Sequence, residues 1–169
     1  DEAEFIVDDI RRKTRGNGVN YNDFAILYRT NAQSRLFEEK FVPANIPYKI
    51  VGGINFYARK EIKDVLAYLK TIDNAKDDIA VRRIINVPKR GIGLTSVNRV
   101  QEYALARELG FYEALMGVEF IPNIGRGASK MESFVALIEH FKMDAERIKI
   151  SELVDEILEE TGYLEELKG

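Results

Sequence analysis

Cysteine is absent from the 169 residues. That excludes disulfides and thiolate metal ligands, and it suits a reducing compartment; a cytoplasmic location is expected. No apolar run approaches the roughly 18 residues that a membrane span requires, so no membrane contact is expected. The opening "DEAEFIVDD" is acidic where a basic leader would stand, so no secretory leader is expected at this end. There is one histidine, His140, and one imidazole does not make a metal site. No G-x-x-x-x-G-K-[ST] phosphate loop occurs. The acidic pairs Glu38-Glu39, Asp77-Asp78 and Glu159-Glu160 read as solvated faces, and no two carboxylates are spaced for acid–base work. The 46% apolar and 31% charged contents are those of an ordinary globular chain.

An excess of positive charge is also missing: the net charge is −3. Its distribution is uneven. Between Ile79 and Arg107 stand Arg82, Arg83, Lys89, Arg90, Arg99 and Arg107 against the single acid Glu102, whereas the stretch from Asp144 onward is strongly acidic. A local basic face can hold phosphates on an acidic chain, because salt screens distant charges more than near ones.

The first third reads as strand, helix, strand. "FAILY" (24–28) and "YKIV" (48–51) are short apolar runs, and "AQSRLFEEKF" between them carries Leu36, Phe37 and Phe41 at helical spacing. A parallel βαβ unit is expected, too small to be a sheet alone and therefore a piece of a larger one. A helix with Ala3, Ile6, Val7 and Ile10 on one face precedes it, ended by "RGNG". Beyond a boundary near residue 55 the periodicity is helical throughout. Expected helices carry the stripe Ile62, Val65, Leu66, Leu69 and Ile72; residues 77–86; Val97, Val100 and Ala104; "FYEALM"; a long stripe from Met131 to Ile148; and a last helix capped by Ser151.

"PKRGIGLTSVNRV" (from Pro88) recurs as "PNIGRGASKMESF" (from Pro122), with agreement in residue type at the proline, both glycines, the Leu/Ala and Thr/Ser pair and two apolar positions. Two copies are too few for a solenoid but suit a duplicated helix–turn–helix element. In the first copy, glycines open the backbone to close approach. The helix behind them presents unpaired amides and a partial positive charge, and Lys89 and Arg90 add full charges. Thr95 or Ser96 could cap the helix or donate to a phosphate oxygen. Such an end can grip a nucleic-acid backbone without reading bases. The competing reading is a glycine turn chosen for close helix packing. The second copy carries Arg126 and Lys130 but has no isoleucine between its glycines. "YRTNAQSR" (28–35) gathers Arg29, Asn31, Gln33, Ser34 and Arg35 at a helix start; on spacing alone, a helix capped by Asn31 with arginines in surface pairs is the stronger reading.

"ILYRTNAQSRLFEE", "IPYKIVGGINFYARKEIKDVLAYLK" and "RIINVPKRGIG", in this order, resemble superfamily 1 DNA helicases of the UvrD/PcrA/Rep type, most closely the PcrA branch. The likeness is specific to about residue 110 and looser through "SELVDEILEETGYLEELK". It implies an α/β fragment, residues 1–55, from the second RecA-like motor domain (2A). An all-α piece of the inserted 2B accessory domain, residues 56–169, follows, with helix–hairpin–helix-like turns. It implies a parent that is an ATP-driven 3′–5′ motor on single-stranded DNA. The Walker motifs and a later arginine-bearing motif are not among these residues, so this chain alone is expected neither to hydrolyse ATP nor to unwind DNA. No cofactor is expected on it, ATP and Mg belonging to the parent. The resemblance places duplex contact at Lys89, Arg90, Gly91, Ile92, Gly93, Thr95 and Ser96, and the single-strand track at Arg29, Asn31 and Arg35. DNA is the expected partner. The alternative is a regulatory surface for repair or transcription proteins, and a truncated sheet would leave edges through which the chain could dimerise.

Overall fold

The computed structural model describes residues 2–15, 18–53 and 55–168. The chain divides into two compact units, Asp1–Ile62 and Lys63–Gly169.

In the first unit, α1 (Glu2–Thr14) buries Ala3, Val7 and Ile10, as its spacing predicts. Gly16 and Asn17, the centre of the expected "RGNG" stop, lie outside the described residues. Helix α2 (Asn31–Phe41) follows. Its entry is fixed by Gln33, whose Oε1 accepts from the amides of Arg29 (2.9 Å) and Thr30 (3.2 Å). Thr30, not Asn31, is the N-cap.

The βαβ reading is overturned: the described residues contain no strand and form helices with connecting segments. Residues 24–28 and 46–51 do alternate in burial. Phe24, Ile26 and Tyr28, like Ile46, Tyr48 and Ile50, are the more buried positions, while Leu27 and Val51 stand out in solvent. That alternation is all a sequence can display of a strand. A strand also needs ladder hydrogen bonds to a neighbour, and these segments make none. Side chains join them instead: the rings of Tyr28, Phe37, Phe41 and Tyr48 follow one another at 6.5, 6.4 and 5.6 Å between centroids.

A second correction concerns Glu38, read as solvated but 1% exposed. Its carboxylate accepts from Ser34 Oγ (3.3 Å), Tyr48 Oη (3.3 Å) and the Phe56 amide (3.1 Å). Three donors make an ionised group tolerable in the interior.

Among the described residues the second unit has seven α-helices: α3 (Lys60–Asp73, which begins just before the division), α4 (Asp78–Ile84), α5 (Leu94–Arg107), α6 (Phe111–Met116), α7 (Ala128–Ala145), α8 (Ile150–Glu160) and α9 (Tyr163–Lys168). Val97, Val100 and Ala104 of α5 and Met131, Phe134, Ile138 and Phe141 of α7 enter one core, on the faces their spacing predicts. Helix α8 is capped by Lys149, so Ser151 lies inside it.

Helix α3 is rotated from its predicted stripe. It buries Asp64, Ala67, Tyr68, Thr71 and Ile72, while Leu66 is 39% exposed. The cause is polar. Asp64, 1% exposed, receives Arg83 Nε at 2.7 Å and Tyr163 Oη at 2.6 Å. Thr71 Oγ1 donates to the Ala67 carbonyl at 2.8 Å. Satisfied partners let polar residues turn inward, and α9 is held through Tyr163 by the same carboxylate. The displaced apolar face of α3, with Leu66 and Leu69, lines an open groove of about 1250 Å³ whose other wall includes Met116 and Ile150.

Candidate nucleic-acid interface

The two copies of the repeat pack against each other. Gly91 and Gly125, equivalent in the two, have φ of +69° and +70°, a region that glycine enters without strain. Gly93 and Gly127 then lead into α5 and α7. Ser96 Oγ meets the Ile124 carbonyl at 3.4 Å, Arg99 donates to the Asn123 carbonyl, and Lys130 Nζ donates to the Gly91 carbonyl at 3.1 Å.

At the start of α5, the Gly93 carbonyl accepts from the amides of Ser96 (3.0 Å) and Val97 (3.2 Å). The amides of Gly93, Leu94 and Thr95 have no acceptor among the described residues, and no side chain caps this end. Nothing lies within 4 Å of where a Cβ on Gly93 would stand. Gly93, Leu94 and Thr95 are exposed, Ser96 is half-buried against the second copy, and Ile92 is in the core at 3% exposure. The Ile92 amide turns inward to Asn86 Oδ1 at 3.3 Å. The turn therefore presents the amides of Gly93, Leu94 and Thr95 and withholds that of Ile92, which precedes them.

The basic pair separates. Lys89 is exposed and its ammonium has no partner among the described residues; its own amide donates to Glu166 Oε2 at 3.2 Å. Arg90 folds under the turn. Its Nη1 donates to the carbonyls of Ile84 (2.9 Å), Val87 (3.2 Å), Ile85 (3.3 Å) and Pro88 (3.4 Å), and its Nη2 to Tyr68 Oη (2.6 Å), with the guanidinium 5.2 Å from the Phe134 ring centre. This cation closes the C-terminal end of α4, where carbonyls lose their helical partners and a positive charge is favoured. Tyr68 in turn donates to the Val87 carbonyl at 2.5 Å, and burial pushes its hydroxyl pKa up.

Much of the local positive charge is engaged in the same way. Arg83 pairs with Asp64, Arg99 reaches Asn123, and Arg82 and Arg107 lie over the rings of Phe111 and Tyr103. Sequence reasoning missed Asn86, which receives the amides of both Arg90 (2.8 Å) and Ile92 and so shapes the turn. An asparagine just before an X-Pro turn is the signal that was available.

At α2, Arg29 is exposed, Asn31 begins the helix beside Gly53, and Arg35 is committed to Glu39 (2.7 Å) and to the face of Phe56 (4.5 Å). These three belong to the first unit and the hairpin residues to the second. Away from the hairpin, His140 lies 3.2 Å from Asp144, 3.7 Å from Glu156 and 3.5 Å from Glu160. One atom each of His140, Asp144 and Glu156 falls within 4.8 Å of the others, a spacing at which a cation could be held. Burial and the neighbouring Asp144 and Glu160 push the Glu156 carboxyl up, with the imidazole opposing. None of the described helices is long and apolar enough to cross a membrane.

An all-helical chain with a duplicated glycine hairpin and an open amide end belongs, by its sequence, to the UvrD-like helicase C-terminal domain family, which it matches over residues 1–167. Among curated proteins it is 50% identical over 163 residues to the ATP-dependent DNA helicase PcrA of Staphylococcus epidermidis, covering 96% of this chain and 22% of that protein. It is 49% identical over 168 residues to PcrA of Staphylococcus aureus, covering 99% of this chain and 23% of the relative. The chain thus spans less than a quarter of the length of these relatives.

Proposed function

We propose that this chain is the part of an ATP-dependent 3′–5′ DNA helicase that holds duplex DNA by its backbone, through the turn at Lys89–Ser96. The ATP site, with its Mg, and the chemistry of hydrolysis lie outside these residues. In this reading residues 1–55 belong to the second motor domain and residues 56–169 to the 2B accessory domain. One observation carries the reading: among the described residues the amides of Gly93, Leu94 and Thr95 and the ammonium of Lys89 have no partner, and nothing lies within 4 Å of where a Cβ on Gly93 would stand. A phosphate oxygen accepts from such amides without any base being read. Ile92 anchors the turn, Gly91 shapes it and Thr95 adds a hydroxyl, while the Ser96 hydroxyl is given to the Ile124 carbonyl of the second copy. Arg90 supports the turn from beneath. Arg29 and Asn31 are exposed polar groups for a single strand at α2, with Arg35 held by Glu39 and the Phe56 ring.

A fluorescence anisotropy titration with duplex DNA tests this. A site of about four phosphate contacts gives a log–log salt slope near −3.6, and Lys89→Glu weakens every duplex alike. Binding that is indifferent to Lys89→Glu would sink the assignment. A second reading, a docking surface for repair or transcription proteins, is favoured by the open groove against α3 and its exposed Met116 (52%) and Ile150 (69%). Partner binding that survives Lys89→Glu but fails with Ile150→Asp would support it.

A further inference from the structure

The second copy of the repeat has the glycines of a phosphate-gripping turn, yet its surroundings differ from those of the first at each position that would matter. Gly93 stands open. At its counterpart Gly127, which is buried, a Cβ would fall 2.7 Å from Ser96 Oγ and 2.9 Å from Ser96 Cβ. The second turn has therefore received the first copy's serine in the place where a ligand would approach. Lys89, whose ammonium has no partner among the described residues, is replaced at the equivalent position by Asn123, whose carbonyl is taken by Arg99. The contacts are also reciprocal. Positions 96 and 130 are equivalent in the repeat, and each crosses to the other copy's turn: Ser96 to Ile124 and Gly127, Lys130 to the Gly91 carbonyl.

We propose that the second copy, residues 122–134, is the buttress of the first rather than a second grip on DNA, and that Lys130 and Gly127 are positioning residues for the turn at Lys89–Ser96. Lys130 acts on the one carbonyl whose orientation accompanies the positive φ of Gly91. By holding that peptide it fixes the direction in which the Gly93–Thr95 amides point. Gly127 permits Ser96, the residue that follows those amides, to seat against the second turn. A preorganised amide cradle binds more tightly than a mobile one because less freedom is lost on binding. This inference rests on reading the hairpin as the duplex interface, but its structural half is measurable without DNA.

Two measurements on the full chain are needed. The first is amide hydrogen exchange, residue by residue. Lys130→Gln and Gly127→Ala should accelerate exchange at the bonded amides of the turn, those of Ile92, Ser96 and Val97, while helices α3 and α4 keep their protection. Unchanged exchange at the turn overturns the buttress, whatever happens with DNA. The second is duplex binding by anisotropy over a range of salt. Lys130→Gln should weaken binding by roughly two- to tenfold, the worth of one hydrogen bond, with the salt slope preserved, and Lys130→Arg should recover most of the loss. A slope shallower by about 0.9 would instead identify Lys130 as a phosphate ligand and overturn the proposal. Lys89→Glu separates the two questions. If it has no effect on binding while Lys130→Gln still loosens the turn, the assignment of the interface fails and the buttress stands.

Discussion

Replacing Arg90 by alanine separates two roles that the sequence could not distinguish. The guanidinium makes two short bonds, to the Ile84 carbonyl at 2.9 Å and to Tyr68 Oη at 2.6 Å, and three longer ones of 3.2–3.4 Å. Hydrogen bonds to a charged group contribute about 1.5–3 kcal/mol each. The longer ones add little, and water can replace part of the loss because the residue is only half-buried. With about 0.5–1 kcal/mol for the contact with Phe134, the gross loss is about 3.5–7 kcal/mol, and replacement by water of roughly half of it leaves a destabilisation of the second unit of about 2–4 kcal/mol for Arg90→Ala. Arg90→Lys should recover less than half of this, since one ammonium cannot reproduce the fork. Because the chain holds two units, a single melting curve is ambiguous. Urea unfolding followed by hydrogen exchange in α3 and α4 reads the affected unit directly. Lys89→Ala provides the contrast: stability within about 0.5 kcal/mol of the starting chain, as for most surface changes, with weakened duplex binding. If Arg90→Ala leaves α4 as stable as before and makes the salt slope of duplex binding shallower by about 0.9, Arg90 is a phosphate ligand and the structural role assigned to it is wrong.

Glu38→Ala should destabilise the first unit by about 2–4 kcal/mol, because it removes the acceptor for Ser34, Tyr48 and the Phe56 amide together; a urea midpoint close to that of the starting chain would contradict the buried-carboxylate account. Alkaline titration followed by phenolate absorbance should show Tyr112 and Tyr68 lagging behind exposed tyrosines. Burial raises both, Glu139 raises Tyr112 further and Arg90 opposes the rise at Tyr68. The folded pKa lies above the unfolded value of about 10, so this stabilisation is complete below that pH and is lost as pH climbs through the folded values. Simultaneous ionisation of all the tyrosines would show that the two hydroxyls are not buried as described.

Helix content was legible because it is a local property. Val97, Val100 and Ala104, or Met131, Phe134 and Ile138, recur at the helical period whatever the rest of the chain does, and each set is buried. The repeat was legible for the same reason: matching glycines 34 residues apart are visible without a fold. Alternation in "FAILY" was just as visible and misled, since it records which side chains turn inward and not whether the backbone finds a partner. The stripe assigned to α3 misled too. Counting apolar residues could not anticipate that Asp64 would meet Arg83, 19 residues away, and Tyr163, 99 residues away.

By itself, then, the sequence determined where helices form, which faces of α1, α5 and α7 are apolar, and that one turn exists in duplicate. Tertiary structure alone decided that Arg90 points inward while Lys89 points out, that Gly93 is open while Gly127 is filled, and that Glu38 and Asp64 are interior. Periodicity is written in neighbours a few residues apart. The choice of a partner for a charge, an amide or a glycine's empty side belongs to atoms that only folding brings within about 3 Å.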